Sequence, residues 1–441
     1  MTNTTSQIRV SCGIALLTVV TGAAPAFAEA APPKIDSGDT AWMIAATGLV
    51  LMMTIPGLAL FYCGMVRKKN VLATMAQSLL CAMLCSILWA VVGYTLAFNG
   101  SNPLIGNLDK LMLGGIGMDS IAPSTSIPEM LFMIYQMTFA IITVGLVAGA
   151  VADRMRFSAF MWFAGLWMLV VYVPIAHWVW GGGWLTPDAT AKTPGILDFA
   201  GGTVVHLNAG VAGLVAAYVI GTRHGYGTDN FAPYNLSLAV IGTGLLWVGW
   251  FGFNGGSALG ANSRAAFAIV ATHLAASTGA LTWMVLEWWT RGKPSVLGMI
   301  SGAIAGLGTI TPASGFVLPW HAIVIGLAAG AFCFWACTRL KQMLGYDDSL
   351  DVFGVHGVGG ATGVLLCGVF AAAAVGETAG LLEGNGRQML YQVYGIAATI
   401  VWSGVATYIL LKAIELMVPL RVTQQSEIEG LDVTQHGEAL Q

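Results

Sequence analysis

The stretch GGTVVHLNAGVAGL, residues 201–214, places a single histidine, His206, among glycines and aliphatic residues with no charged neighbour. A second stretch, DVFGVHGVGGATGVL at residues 351–365, repeats the pattern V-H-x-x-x-G-x-x-G around His356. At 3.6 residues per turn, the histidine and both following glycines of each copy share one face of a helix. Each histidine is therefore predicted to head a glycine-lined face against which another helix can pack closely.

The sequence around these two stretches is that of a membrane protein. The 441-residue chain has a mean hydropathy of +0.76 and only 9% charged residues, whereas soluble domains contain about 25%. Windows of about 20 apolar residues, the length that crosses a bilayer core, predict an all-α protein with about eleven transmembrane helices. The predicted spans are 41–66, 71–98, 130–152, 157–178, 199–222, 233–256, 261–290, 296–313, 318–338, 352–375 and 389–418.

The distribution of basic residues predicts the orientation of the chain. Most of the Lys and Arg residues between spans, beginning with Arg67, follow odd-numbered spans, and a smaller group that includes Lys110 lies on the opposite side. Because basic loops mark the cytoplasm, we expect a multi-pass membrane protein with its N-terminus outside and its C-terminus inside. The basic, apolar and small-residue regions of residues 1–28 predict a cleaved signal peptide, with an uncleaved anchor as the alternative.

The two histidine motifs predict an internal repeat. His206 lies on the fifth span and His356 on the tenth, so the two copies cross the bilayer in opposite directions. This is typical of inverted-topology repeats, whose site lies near the bilayer midplane where the repeats meet. We predict one five-helix repeat at about 41–222, a second at about 233–375 and an extra helix at 389–418, all within a membrane domain of residues 29–420. The alternative is that each imidazole only satisfies a packing hydrogen bond, although ionisable groups inside membranes usually mark pathways.

Aromatic and polar residues are predicted to converge at the outer mouth of this bundle. Tyr135 and Phe139 share a helix face, as do Phe253 and Ser257, while Trp180 ends the fourth span and Asp198 opens the fifth. Several aromatic faces together with one hydroxyl suit a small cation, because cation–π contacts and a hydrogen bond replace lost water. For any single aromatic residue, a place in the membrane-interface belt is the alternative.

A metal site is not predicted, but paired histidines leave a cofactor alternative open. The cysteine pairs Cys81/Cys85 and Cys333/Cys337 share helix faces without a neighbouring histidine or carboxylate, so they are interpreted as packing residues. Two histidines on two helices can also hold a haem iron, which makes a bis-histidine electron carrier the second hypothesis. Oppositely directed copies of one motif favour a pore. The net charge of −3, spread over so long a chain, gives no indication of a nucleic-acid partner.

Several long motifs resemble the ammonium transporter (Amt/Mep/Rh) family, and specifically its bacterial Amt type. They run in family order from about residue 40 to the C-terminus and include ALFYCGMVRKKNVL, IAHWVWGGGWL, LDFAGGTVVHLNAG, GWFGFNGGSA, DVFGVHGVGG and EGLDVTQHGE. The resemblance implies a transporter of ammonium or methylammonium rather than an enzyme. It also implies assembly as a homotrimer in the lipid bilayer, with no cofactor.

The resemblance further assigns roles to residues of this sequence. Trp180, Phe139 and Ser257 would recruit ammonium, supported from behind by Asp198. Tyr135 falls where relatives often carry Phe and is a less typical member of this cage. Cys63 lies outside the cage at a position where many members have Gly, a departure without consequence for the pore. Phe139 and Phe253 would form a gate, and His206 and His356 would share a hydrogen bond in an apolar pore.

Histidines rather than carboxylates suit such a pore for a physical reason. A cation is expensive to move through a dry apolar passage, whereas neutral ammonia crosses easily once a proton has been removed. Imidazole binds and releases protons near neutral pH and so offers that proton a separate route. K⁺ has no proton to lose and is expected to be excluded. Electrogenic transport and net ammonia transport are both compatible with the sequence.

The last segment, residues 421–441, is polar, and its composition alone predicts a disordered cytoplasmic end. Its EGLDVTQHGE motif resembles the family's regulatory segment, which packs under the bundle and responds to a PII-type signal protein. The residues that carry this resemblance are Glu429, Gly430, Leu431, Asp432, His436, Gly437 and Glu438. An ammonium sensor is a further alternative, although this tail is too short for an output domain. Asp347, Asp348 and Asp351 are predicted to be helix-end charges before the tenth span.

Overall fold

The computed structural model describes residues 34–187 and 195–440, so the predicted signal peptide lies outside the described part of the chain. Within those residues, ten helices are long and apolar enough to cross a membrane, and one shorter apolar helix follows the seventh of them. The chain is therefore a multi-pass, all-helical membrane protein. In chain order the helices are α1 Ser37–Met65, α2 Lys68–Phe98, α3 Glu129–Val151, α4 Phe157–Trp180, α5 Gly202–Ile220, α6 Leu236–Gly255, α7 Ser263–Arg291, α8 Val296–Ile310, α9 Pro319–Leu344, α10 Phe353–Phe370 and α11 Gly386–Glu415.

These helices match the predicted spans to within a few residues at most ends. The shorter helix, α8, is the predicted eighth span, and it would extend about 22 Å at 1.5 Å per residue. The largest differences are at the ends of α9, which continues to Leu344, and of α10, which ends at Phe370 where residues 371–375 were expected to continue it.

Several helices begin at a polar side chain that accepts a backbone N–H of the first turn. The side chain of Asp36 accepts from the N–H of Asp39, that of Asn235 from Ser237 and Leu238, that of Asn262 from Ala265 and that of Ser295 from Gly298. The first N–H groups of a helix have no partner within the helix, so these contacts satisfy donors that would otherwise be exposed near lipid.

Both histidines lie in irregular first turns of their helices. Residues Gly202–Leu207 at the start of α5 and Phe353–Gly357 at the start of α10 form wide, π-helical turns, and His206 and His356 lie within them. Such turns are uncommon and are often found at functional sites. The two copies of the sequence motif therefore share an unusual local structure as well as a residue pattern.

The glycines of the two motifs pack reciprocally, as the sequence predicts. A Cβ on Gly210 would lie 2.2 Å from the backbone nitrogen of Gly357, and a Cβ on Gly360 would lie 2.7 Å from that of Leu207. Each motif thus packs the first glycine after its histidine against the residue that follows the other motif's histidine. The backbones of α5 and α10 touch at this crossing, which only glycine permits.

The central helices are buried, whereas the outer ones expose broad apolar faces. In α3 and α5, 83% and 78% of the apolar window is buried within the protein, whereas in α11 the share is 22%. Because α3 carries Tyr135 and Phe139 and α5 carries His206, this part of the predicted site is enclosed by protein.

The polar tail is folded and docked against the helices, contrary to the expectation from its composition. It forms two short helices, α12 (Gln424–Glu429) and α13 (Leu431–His436). The Asp432 carboxylate accepts the N–H of Ala73 at 2.8 Å, and the N–H of Leu431 donates to the Asn70 side chain at 2.8 Å. These contacts place the tail beneath the first turn of α2, where it satisfies donors of that helix.

Candidate functional site

Three cavities lie along the interior of the bundle. The first, here called the Trp180 vestibule, has a volume of about 280 Å³ and is lined by Phe139, Trp180 and Ser257 among others. The second is a narrow central cavity of about 10 Å³ bordered by Phe253, His206 and His356. The third, the Glu287 vestibule, has a volume of about 240 Å³ and also reaches His356. The stacked pair Phe139 and Phe253 separates the first cavity from the second.

Trp180 and Phe139 present two ring faces at right angles in the Trp180 vestibule. Their ring centroids lie 5.9 Å apart with an interplanar angle of 89°. The indole Nε1–H of Trp180 donates to the backbone carbonyl of Asp198 at 2.9 Å, which fixes the orientation of the ring. Two electron-rich faces meeting at a corner can contact one small cation together.

The Ser257 hydroxyl supplies an acceptor at the same site. Its Oγ lies 2.8 Å from the backbone carbonyl of Phe253, which can only accept, so the serine donates its proton there. A lone pair of Oγ is thereby left for another donor. The hydroxyl of Tyr135 lies 3.3 Å from Oγ and 2.9 Å from the same carbonyl oxygen.

Tyr135 lies behind the site rather than in its lining. The side chain is fully buried, its ring packs against Phe139 at 5.0 Å, and its hydroxyl contacts the backbone of α6. Phe132, Gln136 and Phe139 are the residues of α3 that line the Trp180 vestibule. They occupy positions i, i+4 and i+7 of one helical face. The sequence analysis assigned Tyr135 to the lining of this vestibule and did not assign Gln136.

Asp198 caps the first turn of α5. Its carboxylate accepts the backbone N–H groups of Gly201 at 2.8 Å, Gly202 at 2.5 Å and Thr203 at 2.8 Å, and it also accepts the Thr203 hydroxyl. These donors include the first backbone N–H groups of α5, which have no acceptor within the helix. Asp198 also affects the site through its backbone carbonyl, which accepts the indole N–H of Trp180 and so holds that ring in place.

Phe139 and Phe253 are stacked, with ring centroids 4.1 Å apart and an interplanar angle of 21°. Both rings are 1% exposed. The predicted gate residues therefore form a closed contact between the Trp180 vestibule and the central cavity. A solute must displace these rings to pass.

His206 and His356 meet at the central cavity, as the repeat predicts. Their Nδ1 atoms lie 3.2 Å apart, and the ring planes differ by 12°. The ring of His206 also stacks on Trp250 at 5.5 Å, and its Nε2 makes no hydrogen bond to a described residue. The remaining lining of the cavity is apolar, with residues such as Ile142 and Leu246.

This geometry does not fit the haem alternative. A separation of 3.2 Å between the facing nitrogens is a hydrogen-bond distance, and it leaves no room for an iron and its porphyrin plane. In a neutral pair sharing a hydrogen bond, one Nδ1 donates and the other accepts. The two rings therefore form a neutral chain of donors and acceptors along an apolar passage.

The Glu287 vestibule lies on the side of the tail and carries buried charges around its mouth. Arg223 binds Asp347 through its Nε and Nη2 atoms, at 2.9 and 2.7 Å, and also approaches Asp153 at 3.5 Å. Burial would raise the pKa of Asp347, but the hydrogen bonds and charge of Arg223 outweigh it and lower that pKa. Burial lowers the pKa of the Arg154 guanidinium to about 10, although Asp347 opposes this shift.

Asp348, in the same region, has a larger structural role than the sequence predicted. It is completely buried, and its Oδ2 accepts the N–H of Phe353 at 2.8 Å in the first turn of α10. Burial raises the pKa of its carboxyl group. Asp348 therefore caps the start of α10, and it lies eight residues before His356, the same spacing that separates Asp198 from His206.

The residues predicted to be regulatory divide into docked and exposed groups. Leu431 and Asp432 are buried beneath α2, and the ring of His436 packs on Phe157 at 4.8 Å. Gly430 has a φ of +114°, and a Cβ there would lie 2.6 Å from the Cβ of Lys69. Gly437 also has a positive φ and ends α13, whereas Glu429 and Glu438 are exposed.

A membrane bundle that holds two vestibules with a narrow apolar cavity between them has the architecture of a channel or transporter for a small solute. The model of the Ammonium Transporter Family matches residues 41–440. The chain belongs to this ammonium transporter family. Its family and its relatives therefore support ammonium transport as the function of this chain. The chain is a transporter rather than an enzyme.

The relatives extend over nearly the whole chain. The ammonium transporter of Bacillus subtilis is 48% identical over 406 residues, which cover 92% of this chain and 98% of that protein. The crystal structure of Candida albicans Mep2 is 37% identical, covers 89% of this chain and 88% of its own, and has a TM-score of 0.82. A solved structure named Sensor Amt Protein is 28% identical, covers 90% and 98%, and has a TM-score of 0.83.

Proposed function

We propose that this chain recruits NH₄⁺ in the Trp180 vestibule, removes a proton and conducts ammonia past the histidine pair to the Glu287 vestibule. The observation that carries this proposal is the contact of 3.2 Å between the Nδ1 atoms of His206 and His356 beside an apolar cavity. A neutral molecule that donates and accepts hydrogen bonds can pass along such a pair, whereas an intact cation would lose its hydration there.

The recruitment step is assigned to Trp180, Phe139 and Ser257. The two aromatic faces stand at 89° to each other, and the serine oxygen retains a lone pair because its proton is donated to a carbonyl. A cation–π contact contributes about 0.5–2 kcal/mol, enough to concentrate ammonium weakly without trapping it. Tyr135 positions Ser257, and Asp198 positions Trp180.

The stacked pair of Phe139 and Phe253 serves as the gate in this proposal. Their contact separates a vestibule with polar groups from a cavity that is apolar apart from the histidines. Deprotonation is assigned to this boundary, because the free energy of the ammonium ion rises steeply where hydration is lost. The proton can then move separately along the imidazoles.

The sidedness of transport follows from the basic residues. Arg67, Arg154 and Arg223 all lie at the end of the bundle that holds the Glu287 vestibule and the tail. Positive residues favour the cytoplasmic side. We therefore place the Trp180 vestibule outside and the tail inside, in the inner membrane of a bacterium, with residues 1–28 removed as a signal peptide.

Uptake of labelled methylammonium tests the central step. We expect cells that express the double variant H206A/H356A to lose about tenfold or more of saturable uptake, because proton transfer loses its groups. Currents recorded from reconstituted vesicles with ammonium and with potassium report on selectivity, which should weaken in the double variant. The control is H321A, since His321 is a buried histidine of α9 outside the three cavities. Unchanged uptake together with unchanged exclusion of K⁺ in the double variant would refute the relay.

The family resemblance also supports assembly as a homotrimer and control of the tail by a PII-type signal protein. The docked tail offers a folded surface for such a partner, with Glu429 and Glu438 exposed. Binding of a PII-type protein to inside-out membranes, compared with binding after deletion from Glu427 onward, tests the second proposal. Equal binding and equal transport would discard it. Chemical cross-linking in native membranes tests the trimer.

A further inference from the structure

His177 is a buried histidine that borders none of the three cavities. It lies in the last turn of α4 and is 0% exposed. Its Nδ1 lies 2.9 Å from the carbonyl oxygen of Ala97, and its Nε2 lies 2.6 Å from that of Asn102. Asn102 belongs to the outer loop, residues 99–128, which connects α2 to α3. Both ring nitrogens therefore face a backbone carbonyl oxygen.

These two contacts determine the charge of the ring. A carbonyl oxygen only accepts hydrogen bonds, so each ring nitrogen of His177 must donate one. A neutral imidazole has a single N–H and would direct a lone pair at the other oxygen, whereas the imidazolium ion has two N–H donors. The buried His321 provides a contrast, because its Nδ1 accepts the backbone N–H of Leu318 at 3.2 Å, as only a neutral ring can.

The helix ends around His177 favour a positive charge. Ala97 lies in the last turn of α2 and His177 in the last turn of α4, so the ring is placed at the carbonyl ends of two helices. Carbonyl groups at a helix C-terminus have no acceptor role within the helix, and the helix dipole stabilises a cation there. Hydrogen bonds from a charged donor are also stronger than those from a neutral one.

Charged groups on the elements next to α4 have other partners. Lys110 of the outer loop pairs with Glu129 at the start of α3. Asp109 accepts a side-chain amide of the same loop at 2.6 Å, and the Asp198 carboxylate caps α5. Within the described residues, no carboxylate forms an ion pair with His177. The two backbone carbonyls are therefore the groups that stabilise its charge.

The contacts of His177 attach the outer loop to the end of α4. The neighbouring Trp178 makes a similar contact, because its indole N–H donates to the carbonyl of Leu104 at 2.8 Å. The ends of α2 and α4 also approach closely, since a Cβ on Gly181 would lie 1.9 Å from the Ala97 oxygen. Of the two side chains that bind the loop here, His177 is the one that can lose a proton.

We propose that His177 is a proton-dependent clamp on the outer loop. As an imidazolium ion it binds both carbonyls and holds the loop against α4. When the proton leaves, one carbonyl loses its donor and faces a lone pair instead, so the loop is released. The clamp is therefore complete at low pH and weakens as the pH rises. This inference concerns the outer loop and does not depend on which solute the protein transports.

NMR of the ring nitrogens tests the charge of His177 in the unmodified protein. The sequence contains a single Ala–His pair, at residues 176 and 177, so labelling alanine carbonyls and histidine nitrogens together identifies this residue. We expect both ring nitrogens of His177 to carry a proton at about pH 6 and one of them to lose it as the pH rises. A ring nitrogen without a proton at about pH 6 overturns the proposal.

Amide hydrogen exchange of residues 99–107 tests the release of the loop. After correction for the intrinsic effect of pH on exchange, we expect protection in the unmodified protein to fall about tenfold from pH 6 to pH 9. This is the loss expected for one charge-assisted hydrogen bond. H177Q has no titratable ring, so its loop should be less protected at pH 6 and should show no such fall.

H321Q is the matched control, because it replaces a buried histidine that is bonded as a neutral ring. It should keep the pH dependence of the unmodified protein. Protection of the outer loop that is independent of pH in the unmodified protein overturns the clamp, and so does an unchanged pH dependence in H177Q. If H177Q does not fold, the NMR and exchange measurements on the unmodified protein still decide the question.

Discussion

Asp198 and Asp348 occupy matching places in the two halves of the bundle. Each lies eight residues before a histidine of the central pair, and each accepts backbone N–H groups in the first turn of that histidine's helix. Both carboxylates are buried, at 5% and 0% exposure. A negative charge at a helix N-terminus is stabilised by the free N–H groups and the helix dipole. The two aspartates therefore hold the irregular turns that position His206 and His356.

Removal of the first cap is expected to destabilise the protein. D198A would leave the N–H groups of Gly201, Gly202 and Thr203 buried without their acceptor, and we expect a loss of about 2–3 kcal/mol. D198N keeps one acceptor oxygen and should lose less. Thermal unfolding in detergent measures the order of stability of the unmodified protein, D198N and D198A. A D198A protein as stable as D198N would contradict the capping role.

The glycine crossing of α5 and α10 predicts a sharp steric effect. In G210A the new Cβ would lie 2.2 Å from the Gly357 nitrogen, so the helices must separate; we expect a loss of about 2 kcal/mol or more. G244A is the matched control, because a Cβ on Gly244 in α6 meets no atom within 4 Å and alanine favours a helix. Thermal midpoints of the two variants should move in opposite directions, and equal shifts would argue against contact at the crossing.

The Arg223–Asp347 pair predicts a dependence of stability on pH. The pKa of Asp347 is lowered in the folded protein, whereas an unfolded aspartate titrates near 3.9. Its stabilising contribution is complete above about pH 4 and is lost as pH falls through the lower, folded pKa. D347N should reduce the slope of the thermal midpoint below pH 4 and lower the midpoint at pH 7. D119N, at an exposed position, should do neither; identical profiles for both variants would refute the linkage.

Glu427 is one of the two buried carboxylates, with Asp432, that hold the docked tail. Glu427 binds Arg421 at 2.7 Å and accepts the N–H of His224 at 2.7 Å, so E427A should release α12 and α13. Amide hydrogen exchange of residues 424–436 measures this release, and we expect faster exchange in E427A. Glu429 is exposed and bonds only to Gln425 on its own helix, which makes E429A the control. Equal protection from hydrogen exchange in E427A and E429A would show that contacts other than those of Glu427 hold the tail against the bundle.

Much of the architecture could be predicted from the sequence because a bilayer fixes the length of apolar segments. The repeat of the histidine motif predicted the meeting of His206 and His356, since identical patterns in oppositely directed helices can meet. The glycine face followed from the helical period alone. These features depend on the spacing of residues within single helices, and that spacing can be read directly from the sequence.

The remainder depends on packing between distant segments. Tyr135 and Gln136 are neighbours on α3, and which of them lines the vestibule depends on the rotation of that helix against α6, where the Tyr135 hydroxyl binds the Phe253 carbonyl. Composition alone missed the folded tail, which the resemblance of its motif implied, because Asp432 finds its partner, the N–H of Ala73, across 359 residues of sequence. The sequence shows that Asp348 precedes His356 by eight residues. This spacing indicates a role for Asp348 only when it is compared with the same spacing between Asp198 and His206.

The closed contact between Phe139 and Phe253 has a bioenergetic consequence. A file of water molecules cannot remain continuous across two rings stacked at 4.1 Å, and protons hop efficiently only along unbroken water. Apolar constrictions of this kind block conduction by excluding water. A copy of the protein with these two rings in contact would therefore not leak protons through this passage, and the membrane potential would be preserved.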